Sequence, residues 1–300
     1  MIQGVNVAAV TPRRVNADGV DLGATLELID FLCDKGAGGI ALLGSTGEFS
    51  HFDLEQRLHL IQFGVKRSRA PVLVNVSHSY LDGTLALARG AASYGAAALL
   101  LMPPIFFRYP QEDIRTFYQE FARDLGVSVP VFLYNVPFFT SEIACETAEG
   151  LLAEGHFAGI KDSSGEIEYV QRMISLKQQR PLTVLVGNDK IFTAARSAGA
   201  DGVVSGVGCA LPELMVGLDR AILSGDTTQR DRLELRLQEF IDWIDSFPVP
   251  IGVREAVALR GLKTGPHATP LGEGTQRRLG EFREWFQGWL PGMLKEASRA

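Results

Sequence analysis

Residues 157–165 read Phe157-Ala158-Gly159-Ile160-Lys161-Asp162-Ser163-Ser164-Gly165. An apolar run breaks at a lysine, a turn cluster follows, and a helical pattern opens at about Ile167. That order is a buried strand, a loop and a helix. The same unit recurs outward in both directions. Short apolar runs stand at 5–10, 39–43, 72–76, 97–102, 129–134, 157–160, 183–186 and 202–205. Most are continuous rather than alternating, as strands of a parallel sheet are when both faces are covered. Between them lie amphipathic stretches at 22–35, 53–68, 81–94, 111–125, 143–153, 167–178 and 190–198. Eight strands alternating with helices predict an α/β chain folded as a (β/α)8 TIM barrel. An open doubly wound sheet is the second reading, and it lacks a G-x-G-x-x-G turn after the first strand.

After the eighth run the alternation stops. Residues 211–223 read as the eighth barrel helix, and 227–247, 253–262 and 274–290 as three more, punctuated by Pro248, Pro250, Pro266 and Pro270. The expected division is a barrel over 1–225 and a C-terminal helical extension over 226–300, packed on the barrel rather than independent. Trp243, Trp285 and Trp289, with Phe240, Phe247, Phe282 and Phe286, fall in that extension. They read as helix packing rather than as a ligand cage.

Composition narrows the function. A net charge of -6 favours neither nucleic acid nor an anionic membrane as the main partner. Cys33, Cys145 and Cys209 form no C-x-x-C and cannot all pair within one chain, which fits a reducing compartment. The opening Met1-Ile2-Gln3-Gly4 has no basic segment leading into a long apolar run, and the apolar stretch 95–105 is too short to span a bilayer. A cytoplasmic protein is expected. His51, His59, His78, His156 and His267 show no metal-ligand spacing, and no phosphate-binding Walker loop is present. No metal and no cofactor are expected.

In a (β/α)8 barrel the active site lies at the C-terminal ends of the strands. Strand 2 runs into Gly44-Ser45-Thr46-Gly47-Glu48, whose backbone N–H groups and hydroxyls suit a carboxylate. The same residues also suit a plain turn with a helix cap, and Glu48 reads as ordering that turn more than as a base. Strand 5 ends in Tyr134-Asn135-Val136-Pro137, where the phenol is either a proton relay or a core hydroxyl. Strand 6 ends at Lys161. A lone lysine there usually snorkels its ammonium to solvent. Burial instead disfavours the charged form, and a neutral amine attacks carbonyl carbons. Strand 7 leads into Gly187-Asn188-Asp189 and strand 8 into Val204-Ser205-Gly206. Lys190, a rival nucleophile, begins a helix and reads as solvated. Nucleophile, proton relay and anion cradle are together the set a Schiff-base enzyme needs.

The chain resembles the dihydrodipicolinate synthase / N-acetylneuraminate lyase family of class I, pyruvate-dependent lyases. The matching motifs are Gly44-Ser45-Thr46-Gly47-Glu48, Tyr134-Asn135-Val136-Pro137 and Gly159-Ile160-Lys161-Asp162-Ser163-Ser164-Gly165. Their order and spacing fit, and the likeness spans nearly the whole chain. The resemblance implies that Lys161 forms an imine with pyruvate or a related 2-keto acid. It also implies that Tyr134 relays protons with Thr46, that Ser45 and Thr46 bind the carboxylate, and that Gly187 and Val204 line the wall. A homotetramer is the family's usual assembly.

Two departures bear on the second substrate. Where dihydrodipicolinate synthases carry an arginine one residue beyond Tyr-Asn-Val-Pro, this chain has Phe139. Phenylalanine supplies no bidentate, charge-assisted contact. Where they carry a tyrosine in the loop after strand 4, this chain has Phe106, with Tyr109 nearby as a substitute. Arg108 and Arg254 are candidates to replace the lost arginine. Phe106 and Phe139 therefore count as expected substrate-contacting residues. They point away from a true dihydrodipicolinate synthase and toward a pyruvate-type aldolase or lyase with an aldehyde partner of low polarity. The alternatives are a keto-deoxy sugar acid dehydratase on the same scaffold and a non-catalytic keto-acid binder.

Overall fold

The computed structural model describes residues 2–298; residue 1 and residues 299 and 300, the outermost positions of the expected division, lie outside the described residues. Eight parallel strands close on themselves: β1 (Gly4–Ala8), β2 (Gly39–Leu42), β3 (Val72–Asn75), β4 (Ala98–Leu101), β5 (Val131–Asn135), β6 (Gly159–Asp162), β7 (Thr183–Val186) and β8 (Gly202–Ser205). Each pairs with the next, and β1 pairs back onto β8 from Gly4↔Gly202 to Val7↔Ser205. A helix follows every strand: α1 (Leu22–Asp34), α2 (Leu54–Arg67), α3 (Leu81–Ser93), α4 (Gln111–Asp124), α5 (Cys145–Ala153), α6 (Ile167–Ser175), α7 (Phe192–Ser197) and α8 (Pro212–Ser224). The chain is thus a (β/α)8 barrel. Its strands are buried almost throughout, which is why they read as continuous apolar runs.

Local chemistry sets the helix ends. Asp53 caps α2 by accepting from Gln56 N at 2.8 Å while the Gln56 side chain reaches back to Asp53 N, a reciprocal capping box. Gly225, in the left-handed region at φ 73, ends α8.

Three helices follow the barrel: α9 (Thr227–Ile244), α10 (Ile251–Leu259) and α11 (Glu273–Ala297). The sequence pattern predicts a last helix over 274–290, ending before Pro291. It runs on to Ala297 with Pro291 inside it. Burial of Met293 and Ala297 on the far side of the proline holds that last turn down against the cost of the lost N–H. α9 and α11 are joined by an aromatic stack, with Trp285 and Trp289 centroids 4.9 Å apart and Trp243 and Trp285 5.4 Å apart. Gln229 Nε2 donates to Glu296 O, and Trp289 Nε1 to Glu239. No helix among the described residues is long and apolar enough to cross a membrane.

Candidate active site

The β5–β6 register sets Tyr134 beside Lys161 and Asn135 beside Asp162. Side chains alternate along a strand, so one pair faces into the barrel and the other out toward the helices. Asp162 is fully buried on the outer side, where it accepts from Asn135 Nδ2 at 2.7 Å and Ser164 Oγ at 2.6 Å. Asn135 Oδ1 in turn accepts from Ile143 N at 3.0 Å. Burial pushes the Asp162 carboxyl up to about 6, against the pull of those donors. This network fixes both strand ends from behind.

On the inner side Lys161 is 3 % exposed, and its Nζ stands 3.8 Å above the centroid of the Tyr134 ring. The ring face is the electron-rich side of the aromatic and holds an ammonium well. Tyr134 Oη lies 3.2 Å from Ser45 Oγ. Burial pushes the phenol up, but the Lys161 charge and the polar neighbours around Oη outweigh it and bring the phenol below its ordinary range.

These groups line one cavity of about 440 Å³ at the C-terminal mouth of the barrel. Ser45, Thr46, Tyr134, Lys161, Gly187, Val204 and Phe139 all border it. A wider cavity of about 620 Å³ sits at the other end of the strands, between the end of α4 and the start of β5, away from all of these residues. Phe106 does not border the Lys161 cavity: it is 85 % exposed at φ 84 and turned toward solvent in this chain. Its loop is nevertheless fastened to the one carrying Phe139, through an Ile105↔Thr140 bridge and donation from Arg108 to Pro137 O and Thr140 O.

The two arginines considered for the lost carboxylate contact are both engaged elsewhere. Arg108 is bound to those backbone carbonyls. Arg254 is 1 % exposed and paired with Glu48. Among the described residues no arginine borders the Lys161 cavity. Lys190, read as solvated, does border it, and is half exposed with its ammonium on Asp245 of the α9 end.

Several site groups escaped the sequence reading. Ser163 and Asp189 both border the cavity; Ser163 Oγ and Asp189 Oδ1 are buried and make no well-formed hydrogen bond among the described residues, although Ser163 faces the Tyr134 hydroxyl and Asp189 faces Ser205. Asp189 Oδ2 is pinned by Gly206 N and Val207 N, each at 3.1 Å. Strand-end placement was the available signal for Ser163, two residues past Lys161. The outer wall comes from Ile241, Ile244, Val249 and Val253 of the extension. Their role depends on how those helices dock, which periodicity does not report. Among the described residues no group of three or more His, Cys, Asp or Glu could hold a metal ion.

The family model described as the Dihydrodipicolinate synthetase family matches residues 1–287. A 4-hydroxy-tetrahydrodipicolinate synthase of Methanosphaerula palustris is 31 % identical over 279 residues, covering 91 % of this chain and 94 % of the relative. A probable 2-dehydro-3-deoxy-D-pentonate aldolase, YjhH of Escherichia coli (strain K12), is 33 % identical over 224 residues, 73 % of this chain and 74 % of the relative. Among solved structures, YagE of E. coli K12 in complex with pyruvate, a prophage protein of the dihydrodipicolinic acid synthase family, has a TM-score of 0.87. It is 25 % identical, over 96 % of this chain and 98 % of that one.

Proposed function

Because the chain belongs to the Dihydrodipicolinate synthetase family, we propose that it is a class I lyase in which Lys161 forms a Schiff base with pyruvate or another 2-keto acid. One observation carries the reading: a lysine 3 % exposed, standing over the Tyr134 ring in a cavity that also holds the Ser45–Thr46 hydroxyls. Once Lys161 Nζ has passed a proton to the ionised Tyr134 phenol, the amine adds to C2 of the keto acid, and the carbinolamine loses water to give an imine. The protonated imine draws electrons from C3, so loss of a C3 proton yields an enamine. The enamine adds to an aldehyde carbon, and hydrolysis frees the amine; the reverse sequence breaks the same C–C bond. Tyr134, with its lowered phenol, moves the protons together with Thr46. Ser45 and Thr46 hold the keto acid's carboxylate, and Gly187 and Val204 wall the keto-acid pocket.

The aldehyde partner is of low polarity on this reading. Support comes from the wall of Phe139, Ile241, Ile244, Val249 and Val253, and from the lack of an arginine among the described residues that line the cavity. A second reading, a keto-deoxy sugar acid as substrate with cleavage or loss of water, is favoured by Ser163 Oγ and Asp189 Oδ1, which make no well-formed hydrogen bond among the described residues. Those atoms suit substrate hydroxyls, and the YjhH relative's name mentions such an acid. In both readings the barrel over 1–225 carries the chemistry and the helices of 226–300 close its mouth. The enzyme acts in the cytoplasm as a homotetramer; the exposed Phe106, Phe107 and Phe138 at the mouth support contact with a second copy.

Borohydride trapping tests the imine. Pyruvate and a panel of 2-keto acids are incubated with the protein, reduced and digested. A mass adduct on Lys161 that is lost in Lys161→Ala is expected. Correctly folded protein with no adduct would leave only a keto-acid binder. Product analysis with apolar aldehydes and with keto-deoxy sugar acids then separates the two substrate readings.

A further inference from the structure

We propose that Arg254, on α10 of the extension, is a positioning residue for the keto-acid site, holding the Ser45–Glu48 turn in the shape that presents Ser45 and Thr46 to the cavity. The inference rests on the Lys161 reading above.

The turn does not hold itself comfortably. Leu43 at φ 59 and Glu48 at φ 52 are both non-glycine residues in the left-handed region. Such residues persist only where their surroundings over-determine them. Inside the turn, Gly47 is packed so that a β-carbon there would lie 3.0 Å from Leu43 Cα and 3.1 Å from Ala9 O. Glu48 N donates to Ser45 O at 3.0 Å, closing the turn on the residue that touches Tyr134.

Arg254 supplies the outside hold. Its Nη1 donates to Glu48 Oε2 at 2.9 Å and to Thr11 O at 2.9 Å. Thr11 Oγ1 in turn donates to Gly47 O at 2.7 Å, so the guanidinium grips the turn by two routes. Its Nη2 donates to Thr264 O at 2.6 Å and Pro266 O at 3.0 Å. His51 Nδ1 lies 3.3 Å from the other carboxylate oxygen, Glu48 Oε1. An ion pair this buried is poor evidence for stability, because apolar residues of similar size often serve as well. A planar fork with fixed donor directions does define where a carboxylate and three carbonyls must sit. The chain of contacts then runs Arg254, Glu48, Ser45, Tyr134, Lys161.

The test is a pyruvate titration of borohydride trapping on the full chain, with melting temperature measured in parallel. Arg254→Gln should raise the half-saturating pyruvate concentration by about tenfold or more, since ångström-scale misplacement weakens oriented binding strongly. Arg254→Lys, which keeps the charge against Glu48 but lacks the fork, should recover part of that. Glu48→Gln, close in shape, should shift in the same direction by a smaller factor, and carries the test if Arg254→Gln does not fold. Arg260→Gln is the control: Arg260 bonds Glu213 and Ala210 O just past the end of α10 and does not touch the turn. It should lower the melting temperature without shifting the titration. Folded Arg254→Gln or Glu48→Gln that traps at the wild-type concentration overturns the inference. So does an equal shift in Arg260→Gln at equal loss of melting temperature. Wild-type protein that traps no keto acid overturns the Lys161 reading and this inference with it.

Discussion

A β-carbon on Gly187 would lie 2.7 Å from Cε of Lys161, with Ser163 Oγ at 1.9 Å. Neither distance is tolerated between real atoms, so the residue that follows β7 must be glycine for the lysine to stand where it does. The φ of Gly187 lies outside the left-handed region, and alanine meets no backbone objection there. Gly187→Ala should therefore fold and yet displace Lys161, cutting keto-acid trapping by about 100-fold. Adding Ser163→Ala should restore part of the loss by clearing the shorter contact. Trapping kinetics beside a thermal melt decide the matter; a folded variant with normal trapping would contradict the geometry.

Tyr134→Phe keeps the ring under the Lys161 ammonium and removes only the hydroxyl beside Ser45. Imine trapping should survive, slowed, while turnover falls by about 10²–10⁴-fold, the usual contribution of a placed acid–base group. Because the wild-type phenol ionises below its ordinary range, turnover should decline on the alkaline side earlier than a free phenol would dictate. That limb should vanish from the residual activity of the variant. Equal pH profiles for the two proteins would remove Tyr134 from the proton relay.

Phe139 is 54 % exposed at the rim, and it also borders a smaller adjoining cavity of about 260 Å³ with Met102, Ile105 and Val249. Phe139→Ala should weaken use of apolar aldehydes by about tenfold, the scale of losing a partly buried aromatic contact. The pyruvate titration should stay unchanged. A Phe139→Arg variant should reverse the preference toward aldehydes that carry a carboxylate. Steady-state rates on matched apolar and acidic aldehydes check both; an unchanged ratio would mean that the partner does not meet residue 139.

Asp162 gives a prediction for stability. Burial raises its carboxyl from 3.8 to about 6. Between about pH 4 and pH 6 the unfolded chain has lost that proton while the folded chain keeps it. Folded protein therefore loses stability as pH rises through this window, by roughly 2–3 kcal/mol in total, and the penalty is constant above it. Asp162→Asn should flatten this component. Urea midpoints at several pH values between 4 and 7.5, compared for the two proteins, would expose equal slopes if the carboxyl were not displaced.

Much of the barrel was legible because its cause is local. A strand covered on both faces has to be apolar almost throughout, and β2 and β4 are written that way. The position of Lys161 followed from the same rule, since a charge at the end of such a run marks the mouth. Pro291 misled because the burial of Met293 and Ala297 is a tertiary fact that outweighs a local one. Arg254 stood beside Arg108 as a candidate carboxylate contact, with nothing in the sequence to place either in the pocket, for a similar reason. Its partners Thr11, Glu48 and Thr264 are scattered along the chain, and only the docking of α10 gathers them. Asp189 carried no assigned role in the sequence, because the N–H groups of Gly206 and Val207 reach it only through the closing of the barrel.

The bond from Arg254 Nη1 to Thr11 O joins residues 243 positions apart. Synthesis runs from the N-terminus, and early segments begin to fold before late ones exist. A ribosome that has just released Gly225 holds a chain with lysine, tyrosine and hydroxyl turn already made, and with β8 free to meet β1. It has not yet made the guanidinium that clamps the turn or the apolar helix faces at the mouth. On the Lys161 reading the site is thus complete only once these later helices have arrived, and a chain stopped near Gly225 would carry that lysine in an unfinished socket.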